Sequence, residues 1–587
     1  MYVDIVPNRS SPPAILLRES YRDENGKVKK RTLFNLSAHC SLEQARQLRA
    51  VLKGEGGRLA EGPLEDLFKV LESVPHGHVA AILGTMDQLG LPSLLGRGDT
   101  PQRRAALAAI AGRILWPSSK LALSRRIAGA VSTLGDELGL DAGFDEDDIY
   151  EAMRWLWERQ DRIETRLAEG RLAEGEVVLY DLSATWYEGS HCPLIAFGHK
   201  RGGKPGKKQI NFGLLTDAEG CPISIQVYPG NTSDPATVAD QLGKLRRRFG
   251  LKKIIVVGDR GMLTSARLDA AAEDPALADY GWISALRAPQ IRALAEAKDI
   301  QPELFDQRAL AEIDSELFAG ERLVVCRNPA LAEERARKRK ELLATTEDVL
   351  SKIQEACRRE KNPYKGKDKI GRRVEREASK YKMLKHFDLR ITESGLSFAR
   401  KQEQIDEEAS LDGFYVVRAR NISREEMDEN QLVETYKSLS AVERAFRAIK
   451  TMSLRVRPIF HREEDMVRAH FFLCMLAYHV QWHMERKLAP VLFADEELSE
   501  QKSKRATPVE TTERSESAKE KAAGKRTGEG LVVHSFATLL DELGRLARVK
   551  CAGLVEGAGA FSKYTEPTRL QRKIFELLGV KLPTGAV

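Results

Sequence analysis

The sequence lacks every pattern that would hold a small disulfide or zinc scaffold together. Its seven cysteines are Cys40, Cys192, Cys221, Cys326, Cys357, Cys474 and Cys551, and no two lie closer than 29 positions. That spacing excludes a CxxC ribbon or finger and fits a reducing compartment. The N-terminus, MYVDIVPNRS, has no apolar signal core. The most apolar helix pattern, 470–484, carries three histidines and is too short to span a bilayer. No GxxxxGK[ST] loop occurs, so nothing points to a nucleotide cofactor. These absences lead us to expect a cytoplasmic, nucleoid-associated protein. The charge excess is small, +7 from 93 basic and 86 acidic residues among 587. Evidence for a polyanionic partner must therefore come from local clusters.

What is present reads as several domains, since a domain takes roughly 100 to 200 residues. Residues 1–55 contain a β-hairpin, AILLRESY and KKRTLFNL around an Asn-Gly turn. Residues 56–170 are apolar at helical spacing, and the region suits DNA binding or oligomerisation. From Glu176 the period changes. VVLYD (177–181), KKQINFGLLTD, CPISIQVYPGN, IIVVGD (254–259) and YGWISAL read as strands, with helices starting at Asp234-Pro235 and near SARLDAAAED. Residues 171–290 thus make the first part of an α/β core. Residues 291–410 are charge-rich and read as an insertion, and 411–490 resume the core. Residues 491–530 have the polar composition of a flexible linker, and 531–587 close the chain as a helical region.

Two acids, Asp181 and Asp259, end β-branched runs of the kind that form buried parallel strands, and ligands gather at the carboxyl ends of such strands. On a continuous helical wheel through QLVETYKSLSAVERAFRAIKTM, with Leu439 at the origin, Glu443 falls at about 40° and Lys450 at about 20°, inside the apolar arc. A carboxylate facing a core needs a partner or a metal. Three converging carboxylates suit phosphoryl transfer with a pair of divalent ions, and hard oxygen ligands favour Mg²⁺, with Mn²⁺ as a substitute, over zinc.

Tyr436, Glu443 and Lys450 fit Y-x2-R-x3-E-x6-K, and VVLYDLSATWYEG and IIVVGDRGM flank the two Asp residues. On these motifs the chain resembles the insertion-sequence DDE transposases of that signature, over most of residues 170–490. The resemblance implies an RNase H-like mixed sheet flanked by helices, with an insertion domain between Asp259 and Glu443. It implies Asp181, Asp259 and Glu443 as catalytic metal ligands, and Tyr436 and Lys450 on DNA phosphates. It implies metal-dependent cleavage of transposon ends and strand transfer into target DNA, by a homodimer holding both inverted repeats. The signature Arg is replaced by Leu439, and Arg447 is the nearer candidate to stand in for it.

Further DNA contacts are expected at Arg260 and at the Gly-rich cluster of Lys204, Lys207 and Lys208. The basic run Arg335–Lys340 is a further candidate inside the insertion. His479 and His483 lie four apart, with no nearby third ligand in sequence, and read as core histidines rather than a zinc site. Trp186 and Tyr187 read as core, with stacking on a flipped base as the rival. Two other functions share the sequence features: a non-catalytic DNA-binding descendant of a transposase, and a metal-dependent nuclease without strand transfer.

Overall fold

The computed structural model describes residues 2–8, 12–22, 27–38, 40–52, 68–198, 206–264, 279–553 and 560–585, together with 266, 269, 273–275 and 277. The chain forms two compact units. One gathers Met1–Ala152, Val480–Ala494 and Lys521–Val587; the other is Met153–His479 with Asp495–Glu520. Among the described residues no helix is long and apolar enough to cross a membrane.

In the first unit the expected hairpin forms from Ala14–Arg22 and Val28–Asn35, while its Asn25-Gly26 turn lies outside the described residues. A third strand, Tyr2–Val6, pairs with Ala14–Arg22, and Leu42–Leu52 covers it through Val3, Ile15 and Ala45. The remainder is helical from Gly77 to Ala152, with one departure from expectation. Phe68–Pro75 is a strand, and it pairs with Ala547–Gly553, which pairs with Ala560–Tyr564. Neither residues 56–170 nor 531–587 are therefore wholly helical. Each piece has too few strands to make a sheet alone, and the partners lie far apart in sequence, where local periodicity is blind to them.

The second unit is built on an eight-stranded mixed sheet. In spatial order its strands are Leu310–Ile313, Arg322–Arg327, Phe414–Arg420, Gly281–Ala285, Ile255–Gly258, Val177–Trp186, Gln209–Asp217 and Pro222–Pro229. Val177–Trp186 runs parallel to Ile255–Gly258, which runs parallel to Gly281–Ala285; the other pairs are antiparallel. Gln209–Asp217 is buried along its whole length, its polar Gln209, Asn211, Thr216 and Asp217 included.

Helix Leu439–Arg447 lies on this sheet. Phe446 meets Phe212 edge-on at 5.2 Å, and Phe471 of helix Glu464–Lys487 packs against the same ring at 4.7 Å. Asp234–Gly243 is a helix with Pro235 in its first turn, as expected, although Ser233 rather than Asp234 occupies the cap position. Most of the helix expected near 265–274 lies outside the described residues.

The stretch 291–410 is not one body. Leu310–Ile313 and Arg322–Arg327 extend the main sheet. Beyond them, Pro329–Arg358, Lys367–Ala378, the hairpin Phe387–Ile391/Leu396–Arg400 and Gln402–Ser410 enclose a separate core of Leu343, Leu350, Ile353, Ile370, Phe387 and Leu396.

Residues 491–530 also depart from the flexible linker that their composition suggests. Within Asp495–Glu520, Lys502 and Arg505 pair with Glu434 at 2.9 and 2.7 Å, and Lys437 donates to the Val509 carbonyl at 3.0 Å. Asn328 Nδ2 donates to the same carbonyl, and Val509 is buried. A polar segment holds a defined path when its charges find partners on another element, which composition does not register.

Candidate active site

Asp181 does not end its strand, which continues to Trp186. It marks the place where parallel pairing stops, because Tyr180 is opposite Gly258 and the neighbouring strand closes there. Asp259 is the next residue on that neighbour. Two carboxylates therefore stand side by side at the carboxyl edge of adjacent parallel strands, which is where such sheets place ligands.

Glu443 completes the group from helix Leu439–Arg447. Burial of its own carboxyl, and then the charges of Asp259, Glu443 and Asp234, push Asp181 up to about 7. The Leu182 amide donates to Asp181 Oδ1 at 2.8 Å and works in the opposite direction. Like charges gathered this closely raise a carboxyl's affinity for a proton, and equally for a cation.

Glu443 is exposed, not core-facing as a continuous wheel predicts. The wheel took its apolar arc around Glu443 from Leu432, Tyr436 and Leu439, but Tyr436 and Leu439 are only half-buried, and Leu432 and Tyr436 belong to the preceding helix. Glu429–Lys437 ends at Ser438, Leu439–Arg447 begins anew, and 448–452 is a π-helical turn. Within Leu439–Arg447 the buried face is Ala441, Val442, Ala445 and Phe446, and Glu443 lies off it towards the two Asp residues.

Tyr436 is half-buried beside all three acids. Burial first, then Asp259, raises its hydroxyl to about 12, with the charge of Arg260 opposing. Its helix is held at the start by a reciprocal cap, in which Asp428 accepts from the Gln431 amide and Gln431 accepts from the Asp428 amide.

Lys450 turns inward. Its amine donates to Ser183 Oγ and, at 3.3 Å, to the Ala184 carbonyl, both on the strand of Asp181. It also approaches the rings of Phe446 and Phe212 at 5.6 and 5.8 Å. Burial, and then the charge of Arg457, lowers it to about 8. The expected phosphate-binding residue is thus engaged with the protein itself.

Leu439 is half-buried and offers no donor in place of the signature Arg; Arg447 and Arg260 are exposed. Lys207 pairs with Glu188 at 3.3 Å and Lys208 is exposed, while Lys204 lies outside the described residues. The basic run in the insertion is largely engaged. Arg337 pairs with Glu341, Lys338 with Glu334, and Arg339 with Asp412. Tyr187 is core, its hydroxyl donating to the His461 carbonyl at 2.6 Å. His479 is buried against the Pro222 carbonyl at 3.1 Å and Cys221 Sγ at 3.5 Å, and burial lowers it to about 4.

Three residues at the site were not singled out from sequence. Asp234, buried in the first turn of its helix, adds a fourth carboxylate to the field at Asp181. Ser183 is two places beyond Asp181 and so on the same face of the strand, a spacing that offered a signal. Arg287 follows the end of strand Gly281–Ala285, and its guanidinium donates to the carbonyls of Arg260 and Gly261 at 3.3 and 3.5 Å. It braces the loop that carries Asp259.

A family model described as a transposase DDE domain matches residues 185–480. The match spans Asp259 and Glu443 and begins just after Asp181. A second, described as an IS1634 family transposase N-terminal domain, matches residues 3–65. Among solved structures, the chain is similar to a piggyBac transposase synaptic complex with hairpin DNA. The identity is 10%, over 80% of this chain and 77% of that one, with a TM-score of 0.33. No curated protein matches.

Proposed function

The chain belongs to the DDE transposase domain family, and from that premise we propose that it cuts the ends of an insertion sequence and joins them to target DNA. The observation that carries this reading is the meeting of Asp181, Asp259 and Glu443 at one edge of the sheet, with each of the other two charges raising the carboxyl of Asp181. The strand order Pro222–Pro229, Gln209–Asp217, Val177–Trp186, Ile255–Gly258, Gly281–Ala285, with three antiparallel strands followed by two parallel ones, supports an RNase H-like core. Residues 329–410, with their own apolar core, are the proposed insertion domain.

The donor set is all carboxylate and partly open to solvent. It fits hard divalent ions, Mg²⁺ or Mn²⁺, held by Asp181, Asp259 and Glu443. Such ions supply activation of the attacking oxygen and neutralisation at the phosphorus.

The chain's own residues do the rest. Exposed Arg260 stands beside Asp259 and meets a phosphate oxygen. Arg287 braces the Arg260 and Gly261 carbonyls and keeps Asp259 in place. The Tyr436 hydroxyl stays protonated at neutral pH and donates to the scissile strand. Lys450 acts through Ser183 and Ala184 by holding the strand that carries Asp181, so its role is positioning. Two ends must be held for joining, so the working form on DNA is a homodimer.

The test is incubation of the purified chain with DNA carrying the repeats that flank its gene. Nicks at the repeat edge followed by joined products in Mg²⁺ are the expected result. Nicks without joining would leave a nuclease. Binding without cleavage in either metal would leave a non-catalytic DNA-binding descendant and overturn the proposal.

A further inference from the structure

Beyond the carboxylates, the strand of Asp181 leads to an arginine held in an unusual setting. Trp186, five residues further on, lies on the order of 16 Å from Asp181 at strand rise. The guanidinium of Arg457 lies over its ring, 3.7 Å from the centroid. The indole Nε1 donates to Glu188 at 2.7 Å, and Glu188 is neutralised by Lys207 rather than by Arg457. The other acids nearest in sequence are also engaged: Glu463 pairs with Arg154 at 3.6 Å and Glu464 with Arg468 at 2.6 Å. Among the described residues no carboxylate pairs with Arg457.

The segment that carries Arg457 is tied down by the Tyr187 hydroxyl at the His461 carbonyl. It presents Arg455 and Arg462 to solvent, and between them Phe460, 68% exposed. An Arg stacked on an aromatic face keeps its N–H edge available and loses little freedom on binding, which suits a phosphate. An exposed Phe beside it suits the face of an unpaired base.

We propose that Arg455–Arg462 is a DNA-strand dock, in which Arg457, oriented by Trp186, grips a backbone phosphate about five duplex steps of 3.4 Å from the cutting centre. Phe460 stacks on a base of the same strand. The assignment rests on the reading of Asp181 as part of a DNA-cutting centre.

The experiment is equilibrium binding of labelled repeat-end DNA to the full chain in EDTA, across a KCl series. Loss of one phosphate contact flattens the plot of log affinity against log salt by about 0.9. Arg457→Gln is expected to show that flattening. Arg457→Lys keeps the charge and the slope with weaker binding, and provides a second variant if Arg457→Gln fails to fold. Phe460→Ala is expected to weaken binding about tenfold at unchanged slope. An unchanged slope in folded Arg457→Gln, or a slope lost in folded Arg457→Lys, overturns the dock and leaves the cleavage reading standing. A wild-type chain that binds no DNA overturns both.

Discussion

At the scale of single residues, Lys450 turns away from the phosphate contact its signature position implies, while Glu443 stands exposed beside the first two acids. The lysine points in and the glutamate points out. Lys450 crosses from the π-helical turn to the strand of Asp181, and its two donated bonds join the third-acid helix to the first-acid strand. Lys450→Met is expected to cost on the order of 1–3 kcal/mol, because Ser183 and Ala184 lose a charged donor at a partly buried place. Denaturant unfolding measures this; a variant as stable as wild type would show that the bonds contribute nothing. Asp181, Asp259 and Glu443 stood out in the sequence as two acids that follow apolar runs and as a signature glutamate, although the strand of Asp181 continues to Trp186. Asp234 was legible only as a helix start, and Arg287 not at all, since their part depends on which strand ends meet in space.

At the scale of elements, the break at Ser438 matters most. Leu432 and Tyr436, which helped set the wheel's apolar arc, belong to the helix before the break, whereas the buried face of Leu439–Arg447 is Ala441, Val442, Ala445 and Phe446, with Glu443 off it. No residue in ETYKSLSAVERAF announces that break, for neither Gly nor Pro is present. The helix is also seated by a glycine. Gly220, in the turn between Gln209–Asp217 and Pro222–Pro229, has φ +88°, and a Cβ there would lie 2.7 Å from that of Ala441. Gly220→Ala combines a left-handed backbone with a clash against the Glu443 helix. It is expected to cost about 1–3 kcal/mol and to lower cleavage more than DNA binding. Melting and a parallel cleavage assay check this; equal losses of binding and cleavage would argue that the helix does not move. The strands themselves were readable, because runs such as IIVVGD are buried on both faces, but Phe68–Pro75 was hidden by its distant partners.

At the scale of the whole molecule, both units carry histidines that are neutral when folded. Burial lowers His76 and His78 in one unit, and His479 in the other, to about 4 from an ordinary 6.5. Below pH 6.5 the unfolded chain takes up protons that the folded chain cannot. Stability is therefore full above about 6.5 and falls as the pH drops towards 4. For His479 the loss is on the order of 3 kcal/mol. Thermal melting between pH 7 and 4 is expected to show the decline, and His479→Gln to make it shallower. A wild-type melting temperature that does not fall over that range would contradict the buried neutral state. The α/β centre was legible in outline, whereas the path of Asp495–Glu520 and the split of residues 291–410 were not, because both depend on partners distant in sequence, 71 residues away for Arg505 and Glu434 and 181 for Asn328 and Val509.

The central claim is that Asp181, Asp259 and Glu443 act as one metal-holding centre for cutting DNA. The most direct measurement is nicking at the repeat edge by the wild-type chain, Asp259→Asn and Glu443→Gln, each in Mg²⁺, Mn²⁺ and EDTA, with DNA binding followed alongside. The account predicts metal-dependent nicking by wild type alone, with both variants at least about a thousandfold slower yet binding the ends nearly as tightly. Undiminished cleavage by either variant, or cleavage in EDTA, would contradict it.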